Sequence, residues 1–340
     1  MGSSTRSPLG AGVARFVLVP LLLLLLAAAA QQPPPQEDTF RLRARVEIVN
    51  LDVTVTDARG HFVRDLKREN FRVFDDGVER PVTNFAPVEA PARMLILVEA
   101  SPAVYLLQRE LLAAAVKLIE GLAADDWVAI ATYGEAPRLL LPLTQNKADA
   151  AGALGGLSFG LGMTQLKLHE SLSTVLDWLA PIPGKKAVVL LSTGLETDVW
   201  GAREPLFAKL RASEGVIYAI GVGGKLRKYD GKKAGDTWPE AMSFQSADRA
   251  LSEIAALSGG RAYFPFSVAE LEGIYREVTA TLRHQYSLGF APAARDGRFR
   301  RIEVQIVDDR SRIRGQSASP DDARFAWRVR TRPGYLAPSP

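Results

Sequence analysis

The chain contains no cysteine and only three histidines in 340 residues. Without cysteine there is no disulfide, no thiolate metal site, no thiol nucleophile and no thiol for lipidation, so a lipoprotein is excluded. His61, His169 and His284 lie in unrelated segments, without an H-E-x-x-H pair. The expected role of each is surface or packing chemistry, with His169 and His284 read onto helices. A G-x-S-x-G elbow is also missing, which removes the nucleophile turn of an α/β-hydrolase. The Gly-rich stretch 155–162 is neither a P-loop nor G-x-G-x-x-G. With no nucleophile, phosphate cradle or metal cluster in sight, a non-enzymatic protein is expected.

Excess charge is lacking too. Formal net charge is +4, and setting aside Arg6 and Arg15 in the first thirty residues leaves 40 basic against 38 acidic side chains. Bulk charge therefore makes no case for nucleic acid as a partner. Those thirty residues carry "FVLVPLLLLLLAAAA", an apolar run interrupted by Pro20 and ending in alanines. A membrane span needs about 20 apolar residues. The basic flank, short core and A-x-A end read as a secretory signal peptide over 1–30, with an uncleaved anchor as the alternative. The protein is then exported, to periplasm or exterior, with no membrane span after cleavage and no cofactor called for.

What is present is a change of periodicity. Residues 31–39, containing "QQPPPQED", form a polar proline-rich tether. In 40–91, "VNLDVTVTD" puts Val49, Leu51, Val53 and Val55 on one face and Asn50, Asp52, Thr54 and Thr56 on the other, a strand with one buried side. Asp57, Asp75 and Asp76 fall in Asp/Gly turns rather than calcium-loop spacing. From 92 to 283 strand and helix patterns alternate, and the strands "LILV", "VVLL" and "VIYAIGV" have no polar face, which implies burial on both sides. Alternation returns in 284–336, before a short tail at 337–340. The fold class expected is α/β: a doubly wound, mostly parallel six-stranded sheet inserted in a discontinuous β-rich domain built from both flanks.

Ligands of such sheets bind at the carboxyl ends of the strands. Four polar loops leave those ends: Glu99 to Pro102, "GGLSFGLGMT" ending at Thr164, "STGLETD" at 192–198, and the long segment after Val222. With these loops in place, residues 92–283 resemble a von Willebrand factor type A domain. The flanking "VTVTDARGHFVRDLKRENFRVFDDGVERPVTNF" and "YSLGFAPAARDGRFRRIEVQIV" extend the resemblance to exported A-domain proteins of acidobacteria.

That resemblance implies a metal-ion-dependent adhesion site with the pattern Asp-x-Ser-x-Ser, a Thr before a central helix and an Asp after the fourth strand. In this chain Glu99 stands at the first Asp, Ser101 and Thr164 are kept, Ala103 replaces the second Ser, and Thr193 replaces the last Asp. Glutamate is longer by one methylene, and magnesium requires near-octahedral geometry. The site reads as degenerate, with metal-independent contact expected and Glu196 or Asp198 able to compensate if magnesium were retained. The loop "GGKLRKYDGKKAGDTWPEAMSFQ" is basic and carries aromatic anchors. Tyr229 and Trp238, with Glu196 and Asp198, are the candidate contacts to a protein partner. A structural envelope protein without a specific ligand is the alternative.

Overall fold

The computed structural model describes residues 48–339, except 102–103, 105–107, 158–164, 198–202, 225–226, 228–242 and 321. The signal, the tether, Ala103, Thr164, Asp198, Tyr229 and Trp238 therefore lie outside the described residues. Residues Val46–Pro340 form one compact unit.

The central sheet comprises β5 (Arg93–Glu99), β6 (Trp127–Tyr133), β7 (Arg138–Thr144), β8 (Lys186–Ser192), β9 (Val216–Gly221) and β10 (Arg261–Tyr263), in the order β10-β9-β8-β5-β6-β7. All neighbours are parallel except β6 and β7. Three helices cover one face: α1 (Gln108–Glu120), α2 (Lys147–Gly155) and α6 (Val268–Arg283). Three cover the other: α3 (Leu168–Leu179), α4 (Arg203–Ala212) and α5 (Phe244–Leu257). Met94, Ile96 and Val98 enter the first apolar layer, while Leu95 and Leu97 enter the second. This two-sided burial is why the strand sequence carries no polar alternation. The exception is β7, an antiparallel edge whose Leu139 and Leu140 are exposed. Its Pro142 suits an edge, where a missing N–H costs no ladder bond.

The flanks pair with each other across the chain. β1 (Val49–Asp57), β4 (Asn84–Glu89), β11 (His284–Phe290) and β14 (Trp327–Arg330) make one antiparallel sheet in the order β14-β1-β11-β4. β2 (Phe71–Asp75), β3 (Val78–Arg80), β12 (Phe299–Val307) and β13 (Ile313–Gln316) make a second, and β15 (Gly334–Leu336) pairs with β12. Leu51, Val53 and Val55 meet Val73, Val304 and Ile306 in a core shared by both sheets. Each flank holds strands of both sheets, so neither could bury its apolar row alone.

His284 is not helical. It caps α6 and opens β11, its ring 5.4 Å from that of Phe62. Helix and strand are joined there without a loop, so helical periodicity and strand alternation overlap in the sequence. Among the described residues no helix is long and apolar enough to cross a membrane.

Candidate functional site

Strand order reverses between β5 and β8, the place where an open α/β sheet leaves a crevice at its carboxyl edge. Glu99 ends β5 there and is fully buried. Ser192 and Thr193 arrive at the end of β8, and Tyr133 ends β6 in direct register with Glu99. The local sequence makes these positions possible because the strand interiors, residues 94–98, 128–131 and 187–191, are apolar, so polar groups collect in one layer at the strand ends.

Glu99 is saturated with donors. Ser101 Oγ donates to its Oε1 at 2.6 Å, and the Thr193 backbone N–H donates to Oε2 at 2.7 Å. Thr193 Oγ1 lies 2.9 and 2.8 Å from the two oxygens, sharing its one proton between them. Ser192 Oγ and the Tyr133 hydroxyl each reach Oε2 at 3.1 Å and lie 2.7 Å from one another. A proton order running from Tyr133 to Ser192 to Glu99 satisfies all three groups, while Ser192 Oγ accepts the Gly194 N–H at 2.7 Å. Burial first, then the charge of Glu99, pushes the Tyr133 hydroxyl well above its ordinary pKa, so it stays a donor. The additional methylene of glutamate carries the carboxylate across from β5 to the backbone at the end of β8.

A guanidinium completes the layer. Arg227 is buried, with Nη2 donating to Thr193 O at 2.7 Å and Nε to Val222 O at 3.2 Å. It pairs with Asp248 of α5 and lies between the rings of Phe244 and Phe264, 4.9 and 5.4 Å from their centroids. Burial draws its pKa down to about 10, opposed by the charge of Glu99, so it remains a cation at neutral pH. Such stacking and two carbonyl contacts suit the planar fork of arginine rather than lysine.

The donor set is a poor fit for a hard divalent cation. Magnesium takes oxygen lone pairs in an octahedral shell. Here the Glu99 oxygens are engaged by four side chains and a backbone amide, and a fixed positive charge already lies beyond Thr193. Among the described residues no group of three or more acids and histidines could hold a metal.

Of the residues singled out from the sequence, Glu99, Ser101 and Thr193 come together. Glu196 turns to a different partner: its Oε2 accepts the His169 backbone N–H at 3.1 Å and lies 3.0 Å from His169 Nδ1. It ties the loop after β8 to the first turn of α3. Tyr133, Ser192 and the Arg227–Asp248 pair were not among the site residues named from the sequence. The signal for the first two was their position as last residues of strands neighbouring Glu99. Asp248 gave none, being one acid on an amphipathic helix.

Comparison with protein-family models gave no match, and comparison with curated protein sequences gave none either. Solved structures do resemble the chain. A von Willebrand factor type A protein from Catenulispora acidiphila is 13% identical with TM-score 0.44, the match covering 81% of this chain and 74% of that one. An aerotolerance-related membrane protein from Bacteroides fragilis is 15% identical with TM-score 0.42, over 55% of this chain and 98% of the other. Proximal thread matrix protein 1 of the mussel byssus, whose adhesion motif holds zinc in that structure, is 13% identical with TM-score 0.42, over 57% and 48%. The zinc is a property of the mussel protein. The fold of the present chain rests on its own strand order and helix layers.

Proposed function

We propose that the protein is an exported, non-enzymatic binding module of the acidobacterial A-domain type, acting through metal-independent contact with a protein partner. The observation that carries this reading is the closed polar layer around Glu99, whose acceptors are filled by protein donors and whose nearby cation is Arg227. Export rests on the first thirty residues as a signal peptide. Contact rests on the surface at the same end of the sheet, where Phe264 and Phe266 are exposed beside the buried guanidinium. Exposed aromatics rimmed by polar groups are the usual anchors of protein interfaces.

The test combines a melt with a capture. Tm in EDTA and in millimolar magnesium should agree, because a cation bound by the native state alone would raise it by mass action. A shift abolished by Ser101→Ala would overturn metal independence. Capture from an envelope extract should retain a partner with the unaltered chain and lose it with Phe264→Ser/Phe266→Ser. Equal capture by both would favour the structural envelope reading, in which this face binds nothing.

A further inference from the structure

The opposite end of the parallel strands is built differently. There the α/β domain meets the β14-β1-β11-β4 sheet, and the seam holds an open cleft of about 310 Å³. One wall is the outward row of β1, Asn50, Asp52 and Thr54, whose alternate residues lie in the sandwich core. The other includes Lys185 before β8 and Glu214 before β9, with Arg332 beyond β14 closing a side. A polar row that alternation alone would assign to bulk water thus faces a second domain.

Asp52 senses the charges of both Lys185 and Arg332 across this space. Yet among the described residues none of the three makes an ion pair within 4.0 Å. Arg332 is held in place by donation of Nη2 to Asn50 O at 3.1 Å, and Lys185 Nζ is enclosed with no hydrogen-bond partner. Asp52 is exposed within the cleft while Lys185 and Arg332 are half-buried, and desolvation by the neighbouring protein is the leading cause that raises the Asp52 carboxyl pKa. Burial likewise lowers the Lys185 ammonium and the Arg332 guanidinium. Charges partly withdrawn from water and left unpaired cost stability. A cluster selected for stability alone would close on itself, as Lys209 does on Asp177 at 2.7 Å. This one holds opposite charges apart around a volume within the range of small-molecule sites, which favour domain seams.

We infer that the cleft binds a small zwitterion, its carboxylate against Lys185 and Arg332 and its ammonium against Asp52. With Lys186 and Glu214 3.8 Å apart, Lys185 and Arg332 together outnumber Asp52 in the space. The surplus is positive, so the ligand carries a further carboxylate: an acidic α-amino acid, or a short acidic peptide presenting both termini. The site is remote from Glu99, and its failure would leave the upper-face reading untouched.

The experiment is a thermal melt of the full chain with L-glutamate, L-glutamyl-L-glutamate, glutarate and phosphate. L-Glutamate or the dipeptide should raise Tm by about 5 °C at a hundredfold excess over Kd, and whichever acts identifies the source. Glutarate, which has both carboxylates and no ammonium, should not. Lys185→Met and Arg332→Met should each abolish the response. Asp52→Asn should abolish it while leaving the unliganded chain at least as stable, which separates loss of ligand from loss of fold. The inference is overturned if neither zwitterion acts, if phosphate acts equally (an adventitious ion only), or if Asp52→Asn still responds in full.

Discussion

At the carboxyl end of β5 the polar side chains close on one another, whereas below β8 and β9 Asp52, Lys185 and Arg332 remain apart around open space. Both ends belong to the same sheet and both contain charge. The difference lies in whether each group's hydrogen-bonding capacity is used up inside the protein. Around Glu99 it is used up, so the carboxylate acts as a structural anchor joining β5, β6 and β8. In the seam it is not, so the cleft carries charge, half-buried at Lys185 and Arg332, that its own fold does not pair. A buried polar cluster is therefore informative about function through its unfilled bonds rather than through its charge alone.

The comparison can be broken most sharply at Glu99. Replacing it by alanine leaves the Ser101, Ser192 and Thr193 hydroxyls and the Thr193 amide without their acceptor and opens a buried hole. A loss of about 3–5 kcal/mol is expected from urea unfolding. A loss under about 1 kcal/mol would mean that water already serves these groups and that the layer is not closed.

Arg227→Ala should have the next largest effect, about 2 kcal/mol, since it removes donors to Thr193 O and Val222 O and strands Asp248. Arg227→Lys keeps the charge but not the planar fork and should recover only part of the loss. Full recovery by lysine in the same unfolding measurement would reduce Arg227 to a point charge.

The smallest effect is expected in the seam, and its sign is opposite. Burial raises the folded-state pKa of Asp52, so its ionised form is disfavoured in the native protein. Its stabilising contribution is full below the ordinary carboxylate range and is lost as pH rises through the raised value. Asp52→Asn should therefore melt higher than the unaltered chain at pH 7, with the gain vanishing below about pH 4. A lower melting temperature at pH 7 would show that Asp52 is paired after all, and the contrast between the two ends would fail.

Much of the architecture was legible in the sequence because it rests on local pattern. Val49, Leu51, Val53 and Val55 announce a one-sided strand, and Leu95 to Val98 announce a strand buried on both faces. The two candidate regions were legible only in part. Glu99 stood out as a carboxylate ending an apolar run, but two of its donors, Tyr133 and Ser192, lie 34 and 93 residues away. Asp52 was visible as one of a polar row, with nothing in the row to say what would face it. His284 was misplaced because α6 passes into β11 without a break.

The sequence by itself determined most strands and helices of the central sheet and that an α/β core interrupts a β-rich domain. Periodicity suffices for this, since it records which side of an element avoids water. Tertiary structure alone decided that Thr193, standing where the resemblance implies a carboxylate, donates to Glu99 instead of replacing one, and that Arg227 lies beside it as a cation. It alone decided that the polar row of β1 faces Lys185 and Arg332 rather than water. Hydrogen-bond saturation depends on atoms brought together from distant strands, and no local pattern encodes the distance between them.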